Sequence, residues 1–374
     1  MKLTKITVCL LLALLLALSA AACAQLPDEL LPEASATPRP AASPAPEVPA
    51  GPYQIGLVQG QDDPTLDAVR EAFTARLTEW GFPSSTLTAE TLQAGGSAEN
   101  AKLICEDLAA KKASLIIGLG APAAGAAAEL AGGTGSTVRG MVVSFGGAAK
   151  DFGVIYPDSP EGNVTGVLAA STTLAQLDLL QKAVPGLKTL GLLTREGGPL
   201  DTAALTTLKE NCAARKIDLV EVTLPPAGGD AATLATELAG KVQAVLSPEG
   251  GLTAAQAQAI GPALLAAKKP WLVGSEALMQ EGAFASVAVS PQALGRAAAD
   301  MAVELAAGKQ LSQVPVQTLQ DPEVVLNQAL LETLHLQLPQ ETLDAAAFVS
   351  YLPAVPTPAP TPVPEENSDG DDDD

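Results

Sequence analysis

The sequence predicts an α/β protein made of two doubly wound parallel-sheet lobes joined by a multi-strand hinge. Between Tyr53 and Leu352, short uninterrupted apolar runs alternate with longer stretches of helical period. That is the pattern of parallel strands covered by helices on both faces. The block spans about 300 residues, more than a single doubly wound sheet needs, so two sheets are expected.

Taken in order, the strands are Ile55–Gln59, Leu115–Gly120, Met141–Phe145, Thr189–Leu193, Leu219–Leu224, Ala244–Ser247, Trp271–Gly274 and Ala285–Val289. The first ends at Gln59, where Gly60-Gln61-Asp62-Asp63 breaks the apolar run and Pro64 presets the first turn of a helix. Asp62 or Asp63 is placed to cap that helix. The helices read as Pro64–Trp80, Ala98–Lys111, Pro122–Leu130, Leu174–Val184, Leu200–Arg215, Ala231–Leu238, Thr253–Ala267 and Gln292–Ala307. The irregular stretch Tyr156–Asn163 reads as the break between lobes.

Both ends lie outside this block. Lys2 and Lys5 precede an uncharged stretch, Ile6–Ala22, that ends in small residues before Cys23. A basic start, an apolar middle and small residues before the cut form a secretory signal over residues 1–22. Small residues before a Cys resemble the bacterial lipoprotein box, making Cys23 the acylated first residue and placing the protein outside the cytoplasm, anchored to the cell membrane. Ordinary cleavage after Ala24 is the rival reading, since Ala22-Cys23-Ala24 also fits. Ala24–Pro52 carries eight prolines and is read as an extended tether. Pro353–Asp374 holds six more, finishes in an Asp run without calcium-loop spacing, and reads as a disordered tail.

The net charge of −21 argues against nucleic-acid partners, which demand a basic surface. Past the signal, Cys105 and Cys212 fall in different lobes within helical patterns and read as buried, unpaired thiols. Catalytic chemistry is sparse. His335, the sole histidine, stands beside no Cys or carboxylate cluster. Gly118-Leu119-Gly120-Ala121-Pro122-Ala123 formally matches a dinucleotide fingerprint, but the next strand ends in Val143-Ser144-Phe145-Gly146-Gly147 without the required acid. No P-loop, nucleophile elbow, HExxH or paired-Cys motif is present, so no enzymatic activity and no cofactor are expected.

In open α/β sheets the ligand crevice lies outside the carboxyl ends of the strands. Those ends read Gln59–Asp63, Gly118–Pro122, Ser144–Gly147, Ser247–Gly251 and Gly274–Glu276, all small and mildly polar, which suits a cleft between lobes.

Gln59 followed by Pro64-Thr65-Leu66-Asp67-Ala68-Val69-Arg70-Glu71 resembles the first strand–helix junction of the tryptophan/tyrosine-type substrate-binding proteins of ABC importers. Pro122-Ala123-Ala124, Gly162-Asn163-Val164-Thr165-Gly166-Val167, Gln176-Leu177-Asp178-Leu179, Leu294-Gly295-Arg296, Val314-Pro315-Val316 and Asp321–Asn327 continue the resemblance in order, as far as about Leu343. It implies a type 1 periplasmic-binding-protein fold, a hinge crossed three times, and a small molecule held between lobes for an ABC permease and ATPase. On this basis residues 53–158 form the N-terminal lobe, completed by about 291–316, and residues 163–290 the C-terminal lobe, completed by about 320–345. The chain is expected to act as a monomer.

Departures from the family pattern fall in the cleft: Asp62-Asp63 for Glu-His, Ala121 for Thr or Ser, Ala148-Ala149 for Asp-Pro, Gly250-Gly251 for Asp-Asn, and Ser290-Pro291-Gln292 for Asp-Tyr-Tyr. With aromatics at 3%, stacking on a large ring is poorly supported. The candidate ligand set is Gln59, Gln61, Asp62, Asp63, Ala121, Pro122, Ser144, Glu249, Ser275 and Ser290. Unpaired N–H groups of the helices behind Pro64 and Pro122 suit a carboxylate, and Asp62, Asp63 and Glu249 an ammonium. Two functions remain open: delivery of a small solute, an amino acid first, to an importer, or a non-transport sensory or structural lipoprotein with a diverged pocket.

Overall fold

The computed structural model describes residues 53–91, 97–145, 147–198, 202–225 and 230–352. The signal segment, Cys23 with its Pro-rich linker and the acidic tail lie outside the described residues. The strands are β1 (Ile55–Gln59), β2 (Leu87–Thr91), β3 (Leu115–Leu119), β4 (Arg139–Phe145), β5 (Val164–Ala169), β6 (Thr189–Arg195), β7 (Asp218–Leu224), β8 (Ala244–Ser247), β9 (Trp271–Val273), β10 (Ala285–Val289), β11 (Gln317–Leu319), β12 (Pro322–Asn327) and β13 (Ala347–Val349). The main helices are α1 (Pro64–Glu79), α2 (Ala98–Ala110), α3 (Ala121–Gly132), α4 (Thr173–Ala183), α5 (Thr202–Ala214), α6 (Ala231–Ala239), α7 (Ala254–Ala266) and α8 (Pro291–Ala306). None of the described helices is long and apolar enough to cross a membrane.

Two sheets organise these elements. The first runs β11-β5-β4-β3-β1-β2, and every pair in it is parallel. The second runs β13-β12-β10-β9-β8-β6-β7 and is parallel except at β10–β12. β12 follows β11 after only Gln320 and Asp321, so the chain passes directly from the first sheet into the second, where β12 runs antiparallel to β10.

The expected break at Tyr156–Asn163 is corrected here. That loop leads into β5, which pairs with β4 on one side and β11 on the other, so the first lobe continues to Ala169. An irregular, Pro-bearing loop does not reveal which sheet receives the strand after it, and Val164–Ala169 was not read as a strand. The chain crosses between sheets at residues 170–172, at Ser290 and at residues 320–321. These crossings are tied together. Ala170 N donates to Leu319 O (2.8 Å), and both Thr172 Oγ1 and Gln176 Nε2 donate to Val287 O (3.0 and 2.9 Å).

α8 leaves the second sheet but packs on the first lobe, where Leu294, Ala298 and Ala302 join Val69 and Phe73 in one core. A Cβ on Gly295 would lie 2.3 Å from Val69 O, so only glycine permits this close approach of α8 to α1. Asp300 fastens the pair, accepting from Arg76 Nε (2.7 Å) and Trp80 Nε1 (2.6 Å). Cys105 and Cys212 are buried and unpaired, one in each lobe. Because the obstacle at Gly295 is backbone, Gly295→Ala should lower the unfolding free energy by about 1–3 kcal/mol. Urea denaturation checks this, and an unchanged midpoint would contradict the packing described.

Candidate functional site

The carboxyl ends of both sheets meet in one cleft. From the first lobe come the β1–α1 connector, the start of α3 and the end of β4; from the second come the ends of β6, β8 and β9.

The β1–α1 connector is organised by its own polar residues. Gln59 is fully buried, and its Nε2 donates to Gln61 O (3.0 Å) and Asp67 Oδ1 (3.1 Å). It shapes the connector and is absent from the lining of the cleft recesses. Asp63 is the cap of α1, accepting from Thr65 N (2.8 Å) and Leu66 N (3.2 Å). Those donors are therefore occupied, which corrects the expectation that the helix behind Pro64 offers them to a ligand. Asp62 is exposed at the rim. α3 differs, since Gly120 precedes it at φ 79° and no side chain caps its first turn. A Cβ on Gly118 would meet Ala123 O at 2.2 Å. Gly118 thus serves close packing of α3 on β3, while Gly120 packs against Leu66 of α1, with Ala121 and Pro122 facing the cleft beside buried Ser144.

Opposite them, the loop after β8 presents Glu249. Gly274 lets this loop approach, because a Cβ there would lie 2.2 Å from Glu249 N. The Glu249 side chain turns inward and its Oε2 is fully buried without a hydrogen-bond partner among the described residues. Burial pushes its carboxyl up to about 8, and the nearby Asp63 charge adds to the rise, while the Gly250 N–H bonded to it pulls the other way. Three adjoining recesses share Glu249 in their walls. One is framed by Gln61, Asp63, Ala121, Pro122, Ser144 and Phe145. A second runs toward the hinge along Ala169, Ala170, Leu205, Ala288 and Val289. Phe145 is the one aromatic among the described residues lining the three.

Sequence reasoning missed Arg195 at the end of β6. Its Nη2 donates to Gln61 Oε1 (3.2 Å) and its Nε to Gly250 O (3.3 Å), both neutral acceptors. Among the described residues no carboxylate lies within ion-pair distance of it. Burial lowers its pKa, and the Asp63 charge partly offsets that. The signal was available, since Arg195 is a basic residue at the carboxyl end of a strand.

Arg195 to Gln61 is also a contact between lobes, and Thr65 Oγ1 and Ser275 Oγ make another at 2.7 Å. Ser275 therefore joins the lobes through its hydroxyl. Ser290 donates to Gln292 Oε1 (3.2 Å) and lines none of the three recesses.

Two such lobes, three crossings and a polar cleft between strand ends define a type 1 periplasmic-binding-protein-like solute-binding protein. The family model "ABC transporter substrate binding protein" matches residues 54–350, and the chain belongs to that family. It is 21% identical over 292 residues to the tyrosine-binding protein of Clostridioides difficile (strain R20291), covering 76% of this chain and 81% of that one. Among solved structures, the ABC domain from Streptococcus pneumoniae in complex with L-Trp is 21% identical, with a TM-score of 0.71 over 80% of this chain and all of that one. A conserved domain protein from Vibrio cholerae gives 0.70 at 21% identity, over 80% of this chain and 99% of that one.

Proposed function

We propose that this ABC substrate-binding protein works outside the cytoplasm, held to the membrane through Cys23, and delivers a small zwitterion to an ABC permease and ATPase. An amino acid is the first candidate. The observation that carries this reading is the pairing of unlike groups across one small cleft. Arg195 is a partly buried guanidinium without a carboxylate partner among the described residues, suited to a ligand carboxylate. The uncapped first turn of α3, sharing the recess with Gln61 and Gly250, adds backbone donors for the same group. Glu249 stands ready for an ammonium, whereas both oxygens of the nearby Asp63 already accept hydrogen bonds, from Thr65 N and Leu66 N and from Gln61 Nε2 (3.2 Å). The amino-acid names attached to the tyrosine-binding relative and the L-Trp complex support the class of ligand. They do not select a side chain here, because family anchors are replaced by Ala148-Ala149 and Gly250-Gly251.

A thermal-shift panel of the twenty L-amino acids and neutral sugars tests the proposal. A true ligand at about 100 times its Kd should add about 2.7 kcal/mol of stability. Arg195→Ala and Glu249→Ala should each weaken binding about tenfold or more, since each leaves a ligand charge unpaired in a desolvated site, whereas Asp62→Ala at the exposed rim should do less. Tight binding of a neutral sugar that ignores both inner substitutions would overturn the reading.

Anchoring has its own test. Wild-type protein should fractionate with membranes, and Cys23→Ala should release it or block processing. Wild-type protein recovered wholly in soluble form, starting at Gln25, would contradict the anchor.

A further inference from the structure

We propose that Glu249 is the ammonium receptor of the cleft and that it exchanges a proton for its ligand, so that each binding event expels one proton from the protein. This rests on the amino-acid reading above and goes beyond it, because it makes capture a proton-coupled step.

Glu249 lies in the wall shared by all three recesses, and its inner oxygen is buried and without a partner. A buried carboxylate oxygen left unpaired is costly, so the empty site favours the neutral acid. The charged groups facing it are few. The α1 side presents Asp63, with Asp62 at the rim, and β6 presents Arg195. The α3 side (Gly120, Ala121, Pro122) and the hinge side (Ser171, Thr172, Thr173, Gln176) bring no ionisable group. Asp63, as cap of α1, adds negative charge, while Arg195 is bonded to Gln61 and Gly250. Glu249 accordingly titrates near 8 in the empty cleft.

An entering ammonium changes the balance. One of its N–H groups donates to Glu249 Oε2, the carboxyl O–H bond breaks, and that proton passes to solvent. The ligand keeps all three ammonium protons, and the pair that remains is carboxylate and ammonium. Uptake requires the ionised form of Glu249, and the sign follows. Below about pH 8 affinity should rise about tenfold per pH unit and then level off. The neutral acid of the empty state also explains how Glu249 and Asp63 tolerate each other while no cation lies between them.

The experiment follows the Glu side-chain carbons by NMR in carbon-13-labelled protein, with Glu249→Gln assigning the signal. pH titrations are run alone and with L-leucine, L-tryptophan, L-tyrosine or methylammonium. Calorimetry in buffers of different ionisation enthalpy counts the protons released. The expected result is a Glu249 signal that titrates near pH 8 alone and shifts well below that with a probe, with nearly one proton released per ligand at pH 7. The pH dependence should vanish in Glu249→Gln. A Glu249 that titrates in the ordinary glutamate range without ligand, or that no probe shifts, overturns the proposal. If methylammonium shifts it while no amino acid does, the proton exchange stands and the amino-acid reading falls.

Discussion

Parallel strands all point the same way, and a sheet built from them collects its loop-bearing carboxyl ends along one edge. Two such sheets linked by short crossings must turn those edges toward one another. Every feature of the cleft follows from this constraint. The connectors after β1 and β3 and the end of β4 face those after β6, β8 and β9, with three crossings along one side. The crossings are bonded to each other through Ala170, Leu319 and Val287, which joins them into a common hinge. β12 returns directly from β11 to the second lobe and runs antiparallel to β10.

Within this frame the cleft is assembled mostly from small residues, and its chemistry is concentrated in three side chains. Asp63 accepts from two backbone N–H groups of α1 at one oxygen and from Gln61 Nε2 (3.2 Å) at the other. Arg195 is cationic with only neutral acceptors, and Glu249 has an inner oxygen with none. The empty cleft is therefore incompletely satisfied on both its positive and its acidic side. A molecule carrying both charges at short separation would answer both deficits at once, as the proposed function requires. The remaining polar residues hold the walls. Gln59 folds the first connector, and Thr65 with Ser275 joins the lobes.

Much of this was legible in the sequence. β1, β8 and β10 are read with their observed ends, because apolar runs bounded by glycine, proline or polar clusters leave little freedom. β2, β5, β11, β12 and β13 are not read as strands at all, and with β5 goes the first crossing. Val164–Ala169 follows an irregular loop that resembles a linker, and sheet membership depends on pairing partners distant in sequence. At the site, chain position alone marks Asp63 and Glu249 as residues at strand ends. It does not say that Asp63 faces its own helix while Glu249 faces inward, since both are acids after a strand. Arg195 lies at an equivalent strand end, but its value arises from what surrounds it. A guanidinium matters here because no carboxylate among the described residues reaches it, and that is a fact of three dimensions.

We propose that the lobes rotate about the three crossings and that the contacts seen here, Thr65 with Ser275 (2.7 Å) and Arg195 with Gln61 (3.2 Å), hold the closed form that a bound ligand stabilises. Small-angle X-ray scattering of the protein alone, and with the amino acid that stabilises it most, tests this directly. The account predicts a smaller radius of gyration on binding, abolished when Thr65→Ala and Arg195→Ala are combined. An unchanged radius with a bound ligand demonstrated in the same sample would contradict it.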